Sequence, residues 1–208
     1  MAFARTVGRP PGRLPAMAGR TDHEIGLETL ALNGVEDGER VWPRFAGALA
    51  AALAERAAAM RADGRAFPGA REALATLAQM DGVVQSVLTG NLQPNAATKL
   101  GAFGLEGHLD LAVGAYGSDD RRRAALVAVA RSRFAAVHAA EPEETVLVGD
   151  TPLDVAAGRA AGARVVGVAT GPHGRDELIA AGADPTLADL RDTRAVLDAV
   201  LAERAVAS

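Results

Sequence analysis

Two kinds of hydrophobic pattern divide the chain. From residue 21 to about residue 64 apolar positions recur at helical spacing, as in Ile25, Leu27 and Leu30 and again in Phe45, Leu49, Ala52 and Leu53. This segment is predicted to hold helices and no strand. Beyond Phe67-Pro68-Gly69 the pattern becomes regular on a larger scale: a helix over 70–79, a strand over 83–88, a helix over 94–103, a short strand near 109–113 and a helix over 123–139. A strand over 145–148, a helix over 152–161 and a strand over 164–168 follow, then a helix from Asp176, a short strand at Thr186-Leu187 and a last helix from Thr193. Strands that alternate with helices require crossover connections and hence a parallel sheet. The expected fold class is α/β: a Rossmann-like parallel-sheet core over 65–208, preceded by a small helical domain over 1–64.

Composition narrows the function. A chain of 208 residues with 49% hydrophobic content and a formal net charge of −4 is able to bury one sizeable core. The alanine bias raises helix propensity and carries no chemistry. No apolar run is long enough to cross a bilayer, and the first fifteen residues, with Arg5, Arg9 and Arg13, lack the apolar segment and cleavage site of a secretory signal. A cytoplasmic protein with no membrane partner is expected. The absence of cysteine excludes disulfides, thiolate metal sites and a cysteine nucleophile. Mild acidity argues against a nucleic-acid partner, and the one dense basic run, Arg121-Arg122-Arg123, is too short to change that.

In an open parallel sheet, ligands bind beyond the carboxyl ends of the strands. Two such places are informative. After the strand over 83–88 come Thr89, Gly90 and Asn91, a hydroxyl, a flexible residue and an amide at a helix start, where free backbone N–H groups favour an anion such as phosphate. After the strand over 145–148 comes Gly149-Asp150-Thr151-Pro152-Leu153-Asp154. Pro152 suits a first helical turn, and the four-residue spacing brings Asp154 round towards Asp150. Two carboxylates so close repel unless a cation joins them, and a hard divalent ion with waters and a substrate phosphate is the usual magnesium arrangement. Taken singly, an Asp at a helix start is a cap and a Thr-Gly-Asn stretch is a turn. Their shared position after strands of one sheet favours a phosphate and metal site. His173 follows a strand and is a candidate to line that site, whereas His23, His108 and His138 read as ordinary surface residues.

These motifs resemble those of the haloacid dehalogenase superfamily, chiefly phosphohydrolases, and within it the phosphoglycolate-phosphatase-like members with a helical cap. The resemblance covers nearly the whole chain. It implies that Asp150 and Asp154 hold magnesium, that Thr89, with Gly90 and Asn91, binds phosphate, and that residues 1–64 are the cap. It also implies a cation ahead of the acidic motif that neutralises phosphate charge; by spacing this is Arg123, with Arg122 a near competitor and Lys99 a poorer one. Arg20, in Gly19-Arg20-Thr21-Asp22, would pair with a substrate carboxylate, unless this stretch is simply the N-cap of the next helix. The implied partner is a small phosphorylated metabolite.

One part of the family pattern is absent. The superfamily attacks phosphorus with the first aspartate of an Asp-x-Asp motif ending its first strand, and no Asp-x-Asp occurs in this sequence. Asp119-Asp120 is adjacent rather than alternate and falls in the loop before the cation. Without that carboxylate the covalent route is closed. In the family the missing strand lies between the strands over 83–88 and 145–148, and Met1 to Pro10 resembles the first cap helix that normally follows it. The expectation is therefore a start codon placed too far downstream, or a chain lacking its first few tens of residues, rather than an evolved loss of catalysis. Two readings follow: a magnesium-dependent phosphatase of small, phosphoglycolate-like phosphomonoesters in full-length form, with this chain inactive, or a non-catalytic anion-binding protein of the same fold.

Overall fold

The computed structural model of the chain describes residues 1–17 and 19–202. In chain order the elements are α1 (Ala2–Val7), α2 (Asp22–Leu32), α3 (Gly38–Ala54), α4 (Ala57–Asp63), α5 (Ala70–Leu77), β1 (Leu88–Thr89), α6 (Gln93–Ala102), a single 3₁₀ turn (Glu106–His108), β2 (Ala115–Tyr116) and α7 (Arg123–His138). They continue as β3 (Val146–Gly149), α8 (Pro152–Ala160), β4 (Arg164–Val168), α9 (Arg175–Ala181), β5 (Thr186–Leu187) and α10 (Thr193–Leu201). All strand pairs are parallel, so the fold class is α/β. Two compact units result: Met1–Arg65 with Ser86–Glu141, and Ala66–Gln85 with Pro142–Ser208. None of the described helices is long and apolar enough to cross a membrane.

In the first unit, side chains that recur at helical spacing meet in one apolar cluster. Ala2 and Phe3 of α1 are buried with Leu30 of α2 and Phe45 of α3, and Trp42 and Leu49 pack around them. The rings of Phe3 and Phe45 meet edge to face at 5.8 Å, a favoured aromatic geometry. Local chemistry sets the helix ends. Gly8, at φ 84°, ends α1 in the left-handed conformation that glycine adopts without strain, and Thr21 and Asp37 cap α2 and α3 by accepting the backbone N–H of Glu24 and Arg40. His23 is no ordinary surface residue: its ring stacks on Trp42 at 4.6 Å, and Gly26 leaves the room that Trp42 fills.

The same unit carries the first pair of strands, with Leu88 opposite Ala115 and Thr89 opposite Tyr116. Both are shorter or later than the sequence predicts. Residues 83–87 do not form a strand, because β2 is the one described strand beside β1, and Val84 is left 41% exposed. Residues 109–113 turn instead of extending. The Asp110 carboxylate accepts the Ala112 N–H at 2.9 Å, an Asx turn, and the Tyr116 hydroxyl donates back to the Leu111 carbonyl at 2.8 Å. Burial pushes the Tyr116 phenol above its ordinary range. α7 then packs on both strands with Leu126 and Val127 fully buried.

The second unit holds a three-stranded parallel sheet in the order β3-β4-β5. β4 is central, and its apolar run Val165 to Val168 is buried, as a strand covered on both faces requires. α8 lies against β3 and β4 at close range because Gly158 has no side chain; a Cβ there would sit 2.4 Å from Val165 Cγ2. β3 has β4 as its one described neighbour, and Val148 in the middle of it is 51% exposed. An apolar residue left open on such an edge strand is a liability for edge pairing.

Candidate phosphate and metal residues

The expected phosphate loop lies wholly in the first unit, at the turn from β1 into α6. Thr89 Oγ1 accepts two hydrogen bonds from Asn91, from its backbone N at 3.2 Å and its Nδ2 at 2.8 Å. Asn91 Oδ1 in turn accepts from Lys99 Nζ at 2.6 Å. A hydroxyl, an amide and an ammonium are thus linked in series. With both contacts to Thr89 Oγ1 made by donors, the Thr89 hydroxyl hydrogen is directed elsewhere and is available to an anion. Gly90 is required by close approach: a Cβ there would sit 2.4 Å from the Arg20 carbonyl oxygen.

A second chain segment closes on this loop. The Asp22 N–H donates to the Gly90 carbonyl at 2.6 Å, and the Asp22 carboxylate accepts the Leu92 N–H at 2.8 Å and Asn95 Nδ2 at 3.2 Å. An internal carboxylate therefore takes one of the backbone donors at the start of α6 that the sequence assigns to phosphate. Asp22 stands 70 residues before Leu92, and no local pattern connects them, so sequence reasoning passes over both Asp22 and Asn95 as site residues. The fully buried Thr21 adds a bond from its Oγ1 to the Arg121 carbonyl at 2.9 Å. It ties the start of α2 to the loop before α7.

The candidate cations are placed differently. Arg123 is the first residue of α7 and is half-buried. Arg122 is largely exposed beside Asp120, at 3.4 Å, and the Arg122 N–H holds the Asp120 carboxyl below the usual range. Lys99 is hydrogen-bonded to Asn91 in the turn from β1 into α6. Arg20 pairs with Glu24 at 2.9 Å and Glu28 at 2.6 Å on α2, which raises its pKa further. Thr21 caps α2, so the plain N-cap reading of this stretch describes the observed geometry. Asp119 accepts two bonds from Arg133, at 2.7 and 2.8 Å, and one from the Tyr116 N–H at 2.9 Å. It is an anchor for its loop.

The acidic motif lies in the second unit. Asp150 follows β3, and its carboxylate lies against Gly171, where a Cβ would sit 2.4 Å from Asp150 Oδ2. Asp154 is 6% exposed and completes a capping box at the start of α8: its Oδ2 accepts from the Thr151 N–H at 3.1 Å and Oγ1 at 2.8 Å, while Thr151 Oγ1 accepts the Asp154 N–H. Two hard oxygen donors suit a magnesium ion that takes water and substrate oxygens for the rest. Among the described residues no group of three or more His, Asp or Glu side chains is gathered to hold a metal. His173 lies 3.4 Å from Glu177, ahead of α9.

The chain is 34% identical over 122 residues to "Probable phosphatase IndB" of Dickeya dadantii (strain 3937), which covers 58% of this chain and 51% of that one. The chain thus spans about half the length of that curated relative. The structure of a hydrolase from Pseudomonas syringae superposes with a TM-score of 0.60 at 24% identity, covering 95% of this chain and 88% of that one. That of a haloacid dehalogenase-like protein from Agrobacterium tumefaciens gives a TM-score of 0.52 at 18% identity, covering 98% and 85%. The family model of haloacid dehalogenase-like hydrolases matches residues 1–159, well over half of the sequence, and the chain belongs to that family.

Proposed function

We propose that the chain is the phosphate-recognising body of a magnesium-dependent phosphatase of small phosphomonoesters, with residues 1–64 as its cap and 65–208 as its core. The observation that supports this best is the series Lys99, Asn91, Thr89, which places a positive charge, an amide and an available hydroxyl on the loop between β1 and α6. Donors preset in this way bind the dianion without reorganising. Thr89 and Asn91 hold phosphate oxygens, and Gly90 lets the backbone approach them. Arg123 balances charge on the transferring group. Asp150 and Asp154 hold magnesium, which supplies charge stabilisation to phosphate oxygens when bound.

The attacking carboxylate lies outside this set. No Asp-x-Asp is present in the 208 residues, and Asp119 and Asp120 are both engaged by arginines. By itself, then, the chain binds phosphate and does not turn it over. The deciding experiment pairs a phosphate-binding titration with a screen of small phosphate esters, run on the 208 residues and on a version extended by an Asp-x-Asp-bearing strand. Binding by both and turnover by the extended one alone are expected. Thr89→Ala should weaken phosphate binding about tenfold, and Asp150→Asn should abolish turnover in the extended version. Turnover by the 208 residues alone would overturn the assignment of the missing nucleophile.

A further inference from the structure

The second unit carries a cavity that takes no part in the proposed phosphate and metal chemistry. It has a volume of about 590 Å³ and is lined by Arg159 of α8, Arg175 and Ile179 of α9, and the whole of segment 182–186, which leads into β5. Arg159 stands in the last turn of α8 and Asp154 in the first, so the cavity and the acidic motif lie towards opposite ends of one helix.

Backbone carbonyls fix the two guanidinium groups at the cavity wall. Arg159 Nη1 donates to the Gly182 carbonyl at 3.5 Å, and Arg175 Nη2 donates to the Thr186 carbonyl at 2.9 Å, so the two cations sit at the two ends of segment 182–186. Gly182 makes room for the first of them: a Cβ there would sit 1.8 Å from Arg159 Nη1. A guanidinium has five N–H donors, and one bond to the backbone leaves each group most of them for a ligand. The charges here are unanswered. Arg133 and Arg164 find carboxylates within the fold, but neither Arg159 nor Arg175 forms an ion pair among the described residues, and Asp184, which lines the same cavity, forms none either. Ile179, 53% exposed, and Pro185 add apolar surface beside these charges. Apolar surface with a few placed polar groups is the usual make-up of a small-molecule site.

We propose that this cavity binds an acidic amino acid, whose two carboxylates and one ammonium are the charge complement of Arg159, Arg175 and Asp184. Each carboxylate takes the remaining N–H groups of one guanidinium, the pairing in which arginine binds such groups most strongly. The ammonium lies with Asp184, and the methylene groups rest on Ile179 and Pro185. A plain dicarboxylate leaves Asp184 facing more negative charge, and a neutral amino acid leaves one arginine unanswered. The open cavity has room for waters around the ligand. The inference stands on the second unit alone and does not rest on the phosphate reading.

The test titrates the 208-residue chain by calorimetry with glutamate, glutarate, glutamine and inorganic phosphate, each separately. Glutamate should bind at least about tenfold more tightly than glutarate, which lacks the ammonium, and than glutamine, which lacks the second carboxylate. Arg159→Gln and Arg175→Gln, both at exposed positions, should each weaken glutamate about tenfold and leave phosphate binding unchanged. Asp184→Asn should weaken glutamate and not glutarate. Arg159→Lys, which keeps the charge and loses the fork, should weaken glutamate less than Arg159→Gln, and thermal melts of all four variants check that each is folded as the parent is. No measurable glutamate binding by the parent chain, equal affinity for glutamate, glutarate and glutamine, or glutamate binding indifferent to both arginine substitutions would overturn the proposal. A matching loss of phosphate binding in the arginine variants would overturn it too, by making the cavity a general anion site.

Discussion

The turn from β1 into α6 and the turn from β3 into α8 begin alike, with a short parallel strand, a bend and a helix whose first N–H groups need acceptors. They are completed in opposite ways. At β3–α8 the acceptors come from within the turn: Thr151 and Asp154, three residues apart, satisfy each other in a capping box. At β1–α6 Leu92 has no side-chain cap of its own, and the acceptor is Asp22 from the start of α2. One turn is closed by local sequence and the other by a contact between distant segments. A turn held from a distance depends on backbone approach, and so on glycine, more than one held by its own side chains.

The largest expected effect comes from that dependence. At Gly117 a Cβ would lie 2.0 Å from the Gly90 carbonyl oxygen and 2.7 Å from its carbon, both backbone atoms that cannot swing aside. Gly117→Ala should cost more than about 4 kcal/mol, the range reserved for severe backbone conflicts. Gly149→Ala meets the Asp154 side chain instead, at 2.4 Å, and should cost about 2 kcal/mol by displacing a cap. Urea midpoints would measure both, and the reverse order would break the comparison.

Next in size is Asp22→Asn. Weakening the acceptor for the Leu92 N–H and Asn95 should destabilise the fold by about 1–3 kcal/mol. It should also raise phosphate affinity, because a negative charge beside the loop is gone; unchanged affinity would separate Asp22 from the anion site. Thr151→Ala, which removes a purely local cap, should cost about 1 kcal/mol with no effect on phosphate binding.

The smallest effect belongs to Glu177, which caps α9 as Asp154 caps α8 but is exposed. The Gly174 N–H first, and then His173, hold its carboxyl below the ordinary 4.5. A depressed folded pKa contributes stability that is present above about pH 4.5 and is lost as pH falls through the folded value. Glu177→Gln should therefore lower the melting temperature slightly at neutral pH and flatten the acid limb, the difference from the parent chain vanishing at low pH. An equal loss at pH 7 and at low pH would show that the side chain acts through packing and not through its charge.

What the sequence by itself determined was whatever is settled within a few residues. Thr21, Asp37, Thr151 and Asp192 all cap helices through N–H groups three residues on, and the valine-rich stretch Arg164–Val168 forms the strand it predicts, because its apolar residues from Val165 on suit a covered position. Tertiary structure alone decided the length of the strands near 83–88 and 109–113, since a strand exists only where a neighbour accepts its hydrogen bonds. It also decided the use of Asp22 at α6, the stacking of His23 on Trp42 and the joining of Lys99 to Asn91 in the turn from β1 into α6. Each of these needs a partner whose distance along the chain leaves no periodicity to read, and whose position is set by packing.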